Sequence, residues 1–161
     1  MTKEEAKSII VYYANIPDMI KYEKEEKDYL EMAYYDGVKS PVVSGMPHGG
    51  GSGKPTEKMG IRAAEHDARS RNDKHLVAIN VLESDRDTID AALSSMNGKY
   101  KRILLWKYVK GYSWVKIACE INSPCSTVRH WHDAAIEKFG EILEDDCMMI
   151  NELVSRANRA Y

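Results

Sequence analysis

The chain has 161 residues, of which 30% are charged, and a formal net charge of −2. This length suits one compact domain or two small units, and the composition is typical of a soluble, helix-rich protein. No apolar run approaches the roughly 20 residues of a membrane span and the first residues lack a signal-peptide core, so we expect a cytoplasmic protein with no membrane partner.

Positive charge is concentrated in one part of the chain. Residues 98–140 hold eight Lys or Arg against three Asp or Glu, a net charge of +5, whereas residues 1–35, 36–97 and 141–161 carry −3, −1 and −3. A positive field confined to one segment is what binding to a phosphate backbone requires. Residues 98–140 are therefore the first candidate for a nucleic-acid-binding domain.

Residues 1–35 are predicted to form an N-terminal helical segment. Thr2 and Glu5 have the spacing of a capping box and predict a helix start. Pro17 is expected to end this first short helix or to begin the next. A second, largely solvated helix is expected over residues 18–35.

Residues 36–58 are rich in Gly, Pro and Ser and are predicted to be a flexible linker. Gly53-Lys54 resembles the end of a phosphate-binding loop, but His48 stands in place of the first glycine and Pro55 in place of the Ser or Thr. We therefore do not expect nucleotide binding.

A long helix is predicted over residues 59–97, with Asn97-Gly98 as its stop signal. A helix of about 40 residues would be about 60 Å long, too long for a small globule to cover, so it must bend, break or find a partner. A break is expected near residue 84, where Ser84 or Asp85 would cap a new helix.

A helix-turn-helix is predicted after a helix over residues 99–110 that Gly111 closes. Apolar residues at helical spacing are interrupted over residues 122–125 and then resume, which indicates two short amphipathic helices and a tight turn. Ser113 is predicted to cap the first of these helices. Ser123 is predicted to cap the second, with Pro124 as its first residue.

The polar face of the second helix can present groups to base edges. We assign base contacts to Ser126, Thr127, Arg129, His130 and Asp133, with Arg129 as the strongest candidate; the alternatives are capping for the hydroxyls and an ion pair for Asp133. Four residues around the start of the first helix are assigned to backbone phosphates: Lys110, Tyr112, Ser113 and Lys116. The three tryptophans of this region, Trp106, Trp114 and Trp131, are expected to be packing anchors.

Residues 141–161 are predicted to form a C-terminal helix with an apolar stripe. Together with the long helix it offers a candidate oligomerisation seam, although packing back onto the same chain is an equal alternative. The residues of this seam are Ile79, Leu82, Ile89, Leu93, Leu143, Ile150, Leu153 and Ala157.

Catalytic and metal-binding patterns are weak. Three cysteines make an odd number in no recognisable framework, so we take them as reduced. Cys119, Cys125, His130 and His132 lack the spacing of a zinc site, and we expect a buried cysteine and surface histidines instead. No nucleophile motif or carboxylate pair stands out, so we expect no metal, no cofactor and no enzymatic activity.

The helix-turn-helix is similar to DNA-binding region four of sigma-70-type factors, over about a quarter of the chain. The residues that carry this likeness are Ile103-Leu104-Leu105, Tyr108, Gly111, Ser113, Ile117-Ala118, Ile121 and Thr127-Val128-Arg129.

With its surroundings, the chain resembles the ArpU/RinA-type phage transcriptional regulators, which activate late genes in phages of Gram-positive bacteria. In this sequence Lys107 stands where those regulators usually have Arg, and Pro124-Cys125 replaces their polar turn. The segments that carry the likeness are the helical segment ending in Tyr35-Asp36, Ser40-Pro41 with the glycine-rich linker, Glu57-Lys58, and the run from Trp106 to Ala118.

This resemblance implies an all-α, sequence-specific regulator that binds double-stranded DNA at a promoter in the host cytoplasm. Host RNA polymerase and a homodimer or higher homo-oligomer are the further expected partners. Two alternatives stay open. One is the small subunit of a phage terminase, which also couples a helix-turn-helix to helical oligomerisation segments. The other is a sigma-like factor, which is weakened because residues 1–97 offer no second DNA-binding segment.

Overall fold

A computed structural model describes residues 1–38, 55–146 and 150–160. Within these ranges there is no strand, so the prediction of an all-α fold is confirmed, and no helix there is long and apolar enough to cross a membrane. The elements are α1 (Lys3–Val38), α2 (Pro55–Ser95), α3 (Gly98–Leu104), a π turn (Leu105–Val109), α4 (Trp114–Ile121), α5 (Cys125–Asp146) and α6 (Ile150–Arg159).

The chain divides into two compact units, and the division falls within α1 and α2. The larger unit comprises Met1–Asp18 and Leu82–Tyr161, and the smaller unit is Met19–Val81.

All six helices contribute to the core of the larger unit. Burying one large apolar side chain stabilises a fold by about 1.5–3 kcal/mol, which gives short helices such as α3 and α4 a stability that they lack in isolation. The largest fully buried side chains of this core are Ile9, Ile10, Ile16, Ile89, Leu93, Ile103, Leu104, Ile117, Ile136, Phe139, Leu143 and Leu153.

The start of α1 confirms the predicted capping box. The predicted helix boundary at Pro17 is wrong. The Thr2 N–H donates to Glu5 Oε2 at 2.7 Å, and the Glu5 N–H donates to Thr2 Oγ1 at 3.2 Å. Pro17 neither ends nor begins a helix, because α1 passes through it. Pro17 is exposed while Ile16 and Ile20 are buried, so packing of the apolar face offsets the lost backbone hydrogen bond.

The predicted break near residue 84 is also wrong, since α2 is continuous from Pro55 to Ser95. Asp85 is not a helix cap. It is only 5% exposed, and it accepts hydrogen bonds from Arg156 and Tyr12. A polar residue that favours helix starts is held here inside a helix by its tertiary partners.

The predicted linker over residues 36–58 is too long at both ends, because α1 continues to Val38 and α2 begins at Pro55. Pro55 occupies the first helical position, where the missing N–H costs nothing. Most of the linker, including His48 and Gly53-Lys54 of the rejected phosphate loop, lies outside the described residues.

The predicted boundary at residue 140 is absent, because α5 runs through Gly140 to Asp146. A Cβ at Gly140 would lie 3.2 Å from Met1 Cε and 3.8 Å from Ala6 Cβ. This glycine therefore allows α1 to approach α5 and does not stop the helix. The C-terminal segment predicted as one helix is divided between the end of α5 and α6.

The predicted oligomerisation seam lies mostly inside the chain itself. Of its eight residues only Ile150 is partly exposed, so the apolar pattern marks core positions and offers no seam to a second copy. The seven buried members are Ile79, Leu82, Ile89, Leu93, Leu143, Leu153 and Ala157.

The smaller unit pairs the second half of α1 with the first part of α2. His75 Nδ1 lies 2.6 Å from Glu23 Oε2, and Asn72 Nδ2 donates to Glu31 Oε1 at 3.4 Å. Among the described apolar side chains of this unit, only Ile20 and Ile79 are buried.

Candidate nucleic-acid interface

The α4 and α5 helices are joined by a three-residue turn, residues 122–124, as in a helix-turn-helix. Ser113 caps α4 as predicted, because its Oγ accepts from the Lys116 N–H at 3.3 Å. Asn122 ends α4 in the left-handed conformation, with φ 54° and ψ 51°. The Ser123 N–H then donates to the Ala118 carbonyl at 3.0 Å, which satisfies a carbonyl at the helix end.

The start of α5 differs from the prediction by one residue. The first helical residue is Cys125, and the Pro124 carbonyl accepts the first helical hydrogen bond, from the Val128 N–H at 3.1 Å. Ser123 does not cap the helix. Its hydroxyl donates backwards to the Ile121 carbonyl at 3.5 Å, so the turn is held from the α4 side.

The segment before α4 is a short helix followed by a π turn. The Asn97 side chain caps α3 by accepting from the Lys99 N–H at 3.0 Å. The wider π turn ends at Val109, and Gly111 two residues later has a φ of +64°, which suits a residue without a Cβ. The Tyr112 N–H donates to the Trp106 carbonyl at 2.9 Å. This geometry brings Trp106 and Tyr112 together, with ring centres 6.3 Å apart.

Beneath this surface lies a small apolar cluster of Ile103, Ile117, Ala118 and Val128. The prediction that the tryptophans are packing anchors is confirmed, because all three are partly buried against this cluster. Its partly buried neighbours are Trp106, Tyr112, Trp114, Ile121, Cys125 and Trp131.

Six basic side chains lie over aromatic rings of this region. A ring face holds a cation in place, for about 0.5–1 kcal/mol at an exposed site, without neutralising its charge. The pairs, with distances from the cation to the ring centre, are Lys99 on Trp131 (2.9 Å), Arg102 on Trp106 (5.7 Å), Lys107 on Trp114 (4.6 Å), Lys110 on Tyr112 (5.9 Å), Lys116 on Tyr112 (3.7 Å) and Arg129 on Trp114 (6.0 Å).

We call these six the ring-supported cations. Within the described part of the chain, none of them forms an ion pair with a carboxylate. Basic side chains elsewhere do, as in Lys3 with Glu137 at 2.6 Å and Lys138 with Glu141 at 2.7 Å. The positive charges of these six side chains are therefore held in place without a carboxylate partner among the described residues.

His132 corrects the expectation of surface histidines, since it is only 6% exposed. Its ring lies against Trp114 and Tyr108, with ring centres at 4.9 and 5.7 Å, and its Nε2 lies 3.1 Å from the Tyr108 hydroxyl. Burial lowers the pKa of His132 below its usual value; the hydrogen bond and charge of Asp133 act in the opposite direction, while the charges of Lys7 and Lys107 lower it further.

The five predicted base-contact residues all lie in the first turns of α5. Ser126, Arg129 and His130 are exposed, and Thr127 is partly exposed. The hydroxyls of Ser126 and Thr127 form no hydrogen bond with any described residue, so their alternative role as caps finds no support. Asp133 is exposed, but one of its carboxylate oxygens already has a partner, because its Oδ1 lies 3.2 Å from His132 Nδ1.

The predicted phosphate-contact residues gather around Tyr112. Lys110 and Lys116 lie over its ring, and the Ser113 hydroxyl is occupied as the cap of α4. Three further ring-supported cations were absent from the prediction: Lys99, Arg102 and Lys107. The i, i+4 spacing of Arg102 and Trp106, within the helix predicted over residues 99–110, is the signal that marks one of them in the sequence.

The cysteines depart from the expected buried state, because Cys119 is exposed and Cys125 is half-buried; Cys147 lies outside the described residues. Both described thiols line a shallow groove of about 410 Å³ at the α4–α5 turn. In the ranges that the structure describes, no three His, Cys, Asp or Glu side chains are grouped to hold a metal ion.

The fold and this surface define an all-α protein with a basic helix-turn-helix. A family model described as "Protein of unknown function (DUF722)" matches residues 50–141, which are 92 of the 161 residues, and the chain belongs to this family. The match includes α2, the helix-turn-helix and the ring-supported cations. No curated protein and no solved structure matches the chain.

Proposed function

We propose that the protein is a sequence-specific DNA-binding transcriptional regulator, an activator of phage late genes that acts at a promoter with host RNA polymerase. The observation that carries DNA binding is the set of six ring-supported cations, none of which is paired with a carboxylate in the described part of the chain. The phosphates of a DNA backbone would supply the counter-charges for these side chains. Each Lys or Arg that binds a phosphate releases a counterion that was condensed on the DNA.

The division of roles within the site follows from what each side chain can reach. The cations around Tyr112 suit phosphate contacts, because Lys110 and Lys116 flank the capped start of α4. Arg129 lies on the exposed face of α5, where its guanidinium can donate two hydrogen bonds to a guanine edge in the major groove. Ser126, Thr127 and His130 lie beside it and suit neighbouring bases.

The regulatory role and the late-gene target rest on the resemblance to ArpU/RinA-type regulators. Selection from a random duplex library, followed by transcription with host RNA polymerase on a template carrying the selected motif, tests both. We expect one enriched motif, located upstream of a late operon, and more transcript when the protein is present. A library that shows no enrichment after repeated rounds contradicts sequence-specific binding, and enrichment without added transcript contradicts the activator role.

The small subunit of a phage terminase is the second candidate, because a chain that carries both a helix-turn-helix and a second helical unit suits that role as well. Packaging subunits form large rings, whereas a regulator is expected to be a monomer, a dimer or a tetramer. The mass of the protein in solution therefore separates the two. A ring of many copies favours the terminase.

A further inference from the structure

Two cations from different elements meet at the ring of Trp114. Lys107, in the π turn, lies 4.6 Å from the ring centre, and Arg129, in the first turns of α5, lies 6.0 Å from it. Tyr112 also holds two cations, but neither of them is assigned to a base. Among the described aromatic rings, Trp114 is therefore the one that joins the principal candidate for base reading to a second cation.

The ring of Trp114 is itself held by a buried histidine. The ring centre of His132, a residue only 6% exposed, lies 4.9 Å from that of Trp114, and the two planes are 82° apart in an edge-to-face arrangement. His132 is held in turn by Tyr108, whose hydroxyl lies 3.1 Å from its Nε2. Because Arg129 and His132 are three residues apart on α5, they are neighbours on one helix face, and Trp114 contacts both.

We propose that Trp114 is a positioning residue for DNA recognition. Its ring holds Arg129 and Lys107 at a fixed spacing, so that a base contact by the first and a phosphate contact by the second are made together. This inference rests on the proposed DNA-binding function and deepens it, because it gives roles to Trp114 and Lys107, which the contacts named above do not include.

The spacing of the two cations suits the major groove. At these distances from one ring centre, they lie no more than about 11 Å apart. The major groove of B-DNA is about 12 Å wide, so a guanidinium at a base edge inside the groove and an ammonium at a phosphate on its rim fit within this separation. Phosphate contacts fix the register of a protein on DNA and base contacts read the sequence, so a ring that joins one of each links register to reading.

Arg129 gains most from such support, because its side chain is exposed. A long side chain that is immobilised on binding loses conformational freedom, and one that is already held in its bound position loses less. An aromatic face attracts a guanidinium without neutralising its charge. Trp114 should therefore raise the affinity for a sequence that Arg129 reads more than the affinity for one that it does not read.

A double-mutant cycle separates this role from packing alone. Trp114→Leu removes the ring but keeps an apolar side chain; it is combined with Arg129→Ala, and fluorescence anisotropy measures binding to the selected motif and to a scrambled duplex. Trp106→Leu is the matched control, because Trp106 is partly buried against the same apolar cluster and lies under Arg102 at 5.7 Å. Circular dichroism checks that each variant is folded. Trp114→Met, which also lacks a ring but fills irregular apolar space, replaces a leucine variant that is not.

We expect Trp114→Leu to weaken binding to the motif about twofold to fivefold more than binding to the scrambled duplex, which is the size of one cation–π contact at an exposed site. In a chain that already carries Arg129→Ala, this additional loss on the motif should disappear. Trp106→Leu should weaken binding to the motif by the same factor with or without Arg129.

Losses from Trp114→Leu and Arg129→Ala that multiply on the motif overturn the inference, because Trp114 would then act independently of Arg129. So does a loss from Trp114→Leu that is equal on the two duplexes, which is the result that packing alone would give. In both cases a wild-type protein that prefers the motif leaves the proposed function standing. A wild-type protein without that preference contradicts the proposed function, and this inference with it.

Discussion

Arg156 on α6 donates two hydrogen bonds to Asp85 on α2, from Nη2 to Oδ1 at 2.7 Å and from Nε to Oδ2 at 2.8 Å. The Tyr12 hydroxyl of α1 donates to the same Oδ2 at 2.9 Å. One buried carboxylate therefore ties three helices of the larger unit together. The hydrogen bond to Asp85 raises the pKa of Arg156. The pKa of Tyr12 is also raised, mainly by burial and secondly by its hydrogen bond to Asp85.

Arg156→Met should destabilise the larger unit by about 3 kcal/mol, because it leaves the Asp85 carboxylate buried without its cation. The double variant Asp85→Leu/Arg156→Met should lose less, since no unpaired charge remains. Urea unfolding followed by circular dichroism measures both. If the double variant is as unstable as the sum of the two single variants, the ion pair contributes no coupling and this account of α6 is wrong.

Asn122→Ala should cost roughly 1 kcal/mol, because alanine lacks the short polar side chain that lets asparagine tolerate the left-handed conformation that ends α4. Asn122→Gly is the matched control and should stay within about 0.5 kcal/mol of the wild type, since glycine adopts this conformation freely. The comparison uses unfolding free energies measured side by side. Equal losses in both variants would mean that the Asn122 side chain, and not its backbone angle, holds the turn.

Stability of the larger unit should decrease as the pH falls below about 6.5, in part because of His132. Its pKa is lowered in the folded state by burial, so the unfolded chain binds a proton at a higher pH than the folded chain does. The stabilising contribution of neutral His132 is complete above pH 6.5, the ordinary pKa of histidine. It is lost as the pH falls from there toward the lower pKa of the folded state. His132→Gln should flatten this part of the profile between neutral pH and about pH 5. An identical slope in the variant would contradict the effect of burial.

Lys116→Ala should weaken binding to every DNA sequence alike and reduce the slope of log affinity against log salt by about 1, because one phosphate contact is lost. Lys138→Ala is the matched control, since it also removes one lysine between residues 98 and 140 but one that is paired with Glu141. Fluorescence anisotropy at several salt concentrations measures the slopes. Equal changes of the salt slope in the two variants would show that total charge, and not the position of Lys116 over Tyr112, sets the affinity.

Local signals in the sequence predicted the starts of α1 and α4 but not the cap of α5, since the Ser123 hydroxyl donates back to the Ile121 carbonyl. The capping box of Thr2 and Glu5 and the Ser113 cap depend on residues three apart, and both are confirmed by direct hydrogen bonds. The predicted helix boundaries at Pro17 and Asp85 were wrong because contacts with residues distant in the sequence determine the structure there. Packing of the α1 face carries the helix through Pro17, and Arg156, 71 residues away, keeps Asp85 inside a helix.

The candidate site shows the same limit. Helical periodicity placed Arg129 and His130 on the exposed face of α5 correctly. His132 was expected at the surface, yet it is buried because Trp114 on α4 and Tyr108 in the π turn pack on it. The support of cations by rings depends on the path of the chain through Gly111, which no single periodicity predicts.

Arg129 offers the most direct test of the proposed DNA-binding function. Anisotropy titrations should compare wild type, Arg129→Ala and Arg159→Ala, an exposed arginine on α6, on the selected motif and on a scrambled duplex. We predict that Arg129→Ala weakens binding to the motif by about tenfold to a hundredfold while changing scrambled-duplex binding little, and that Arg159→Ala changes neither markedly. Equal losses on both duplexes, or unchanged binding to the motif, would contradict base reading by Arg129 and with it the central claim.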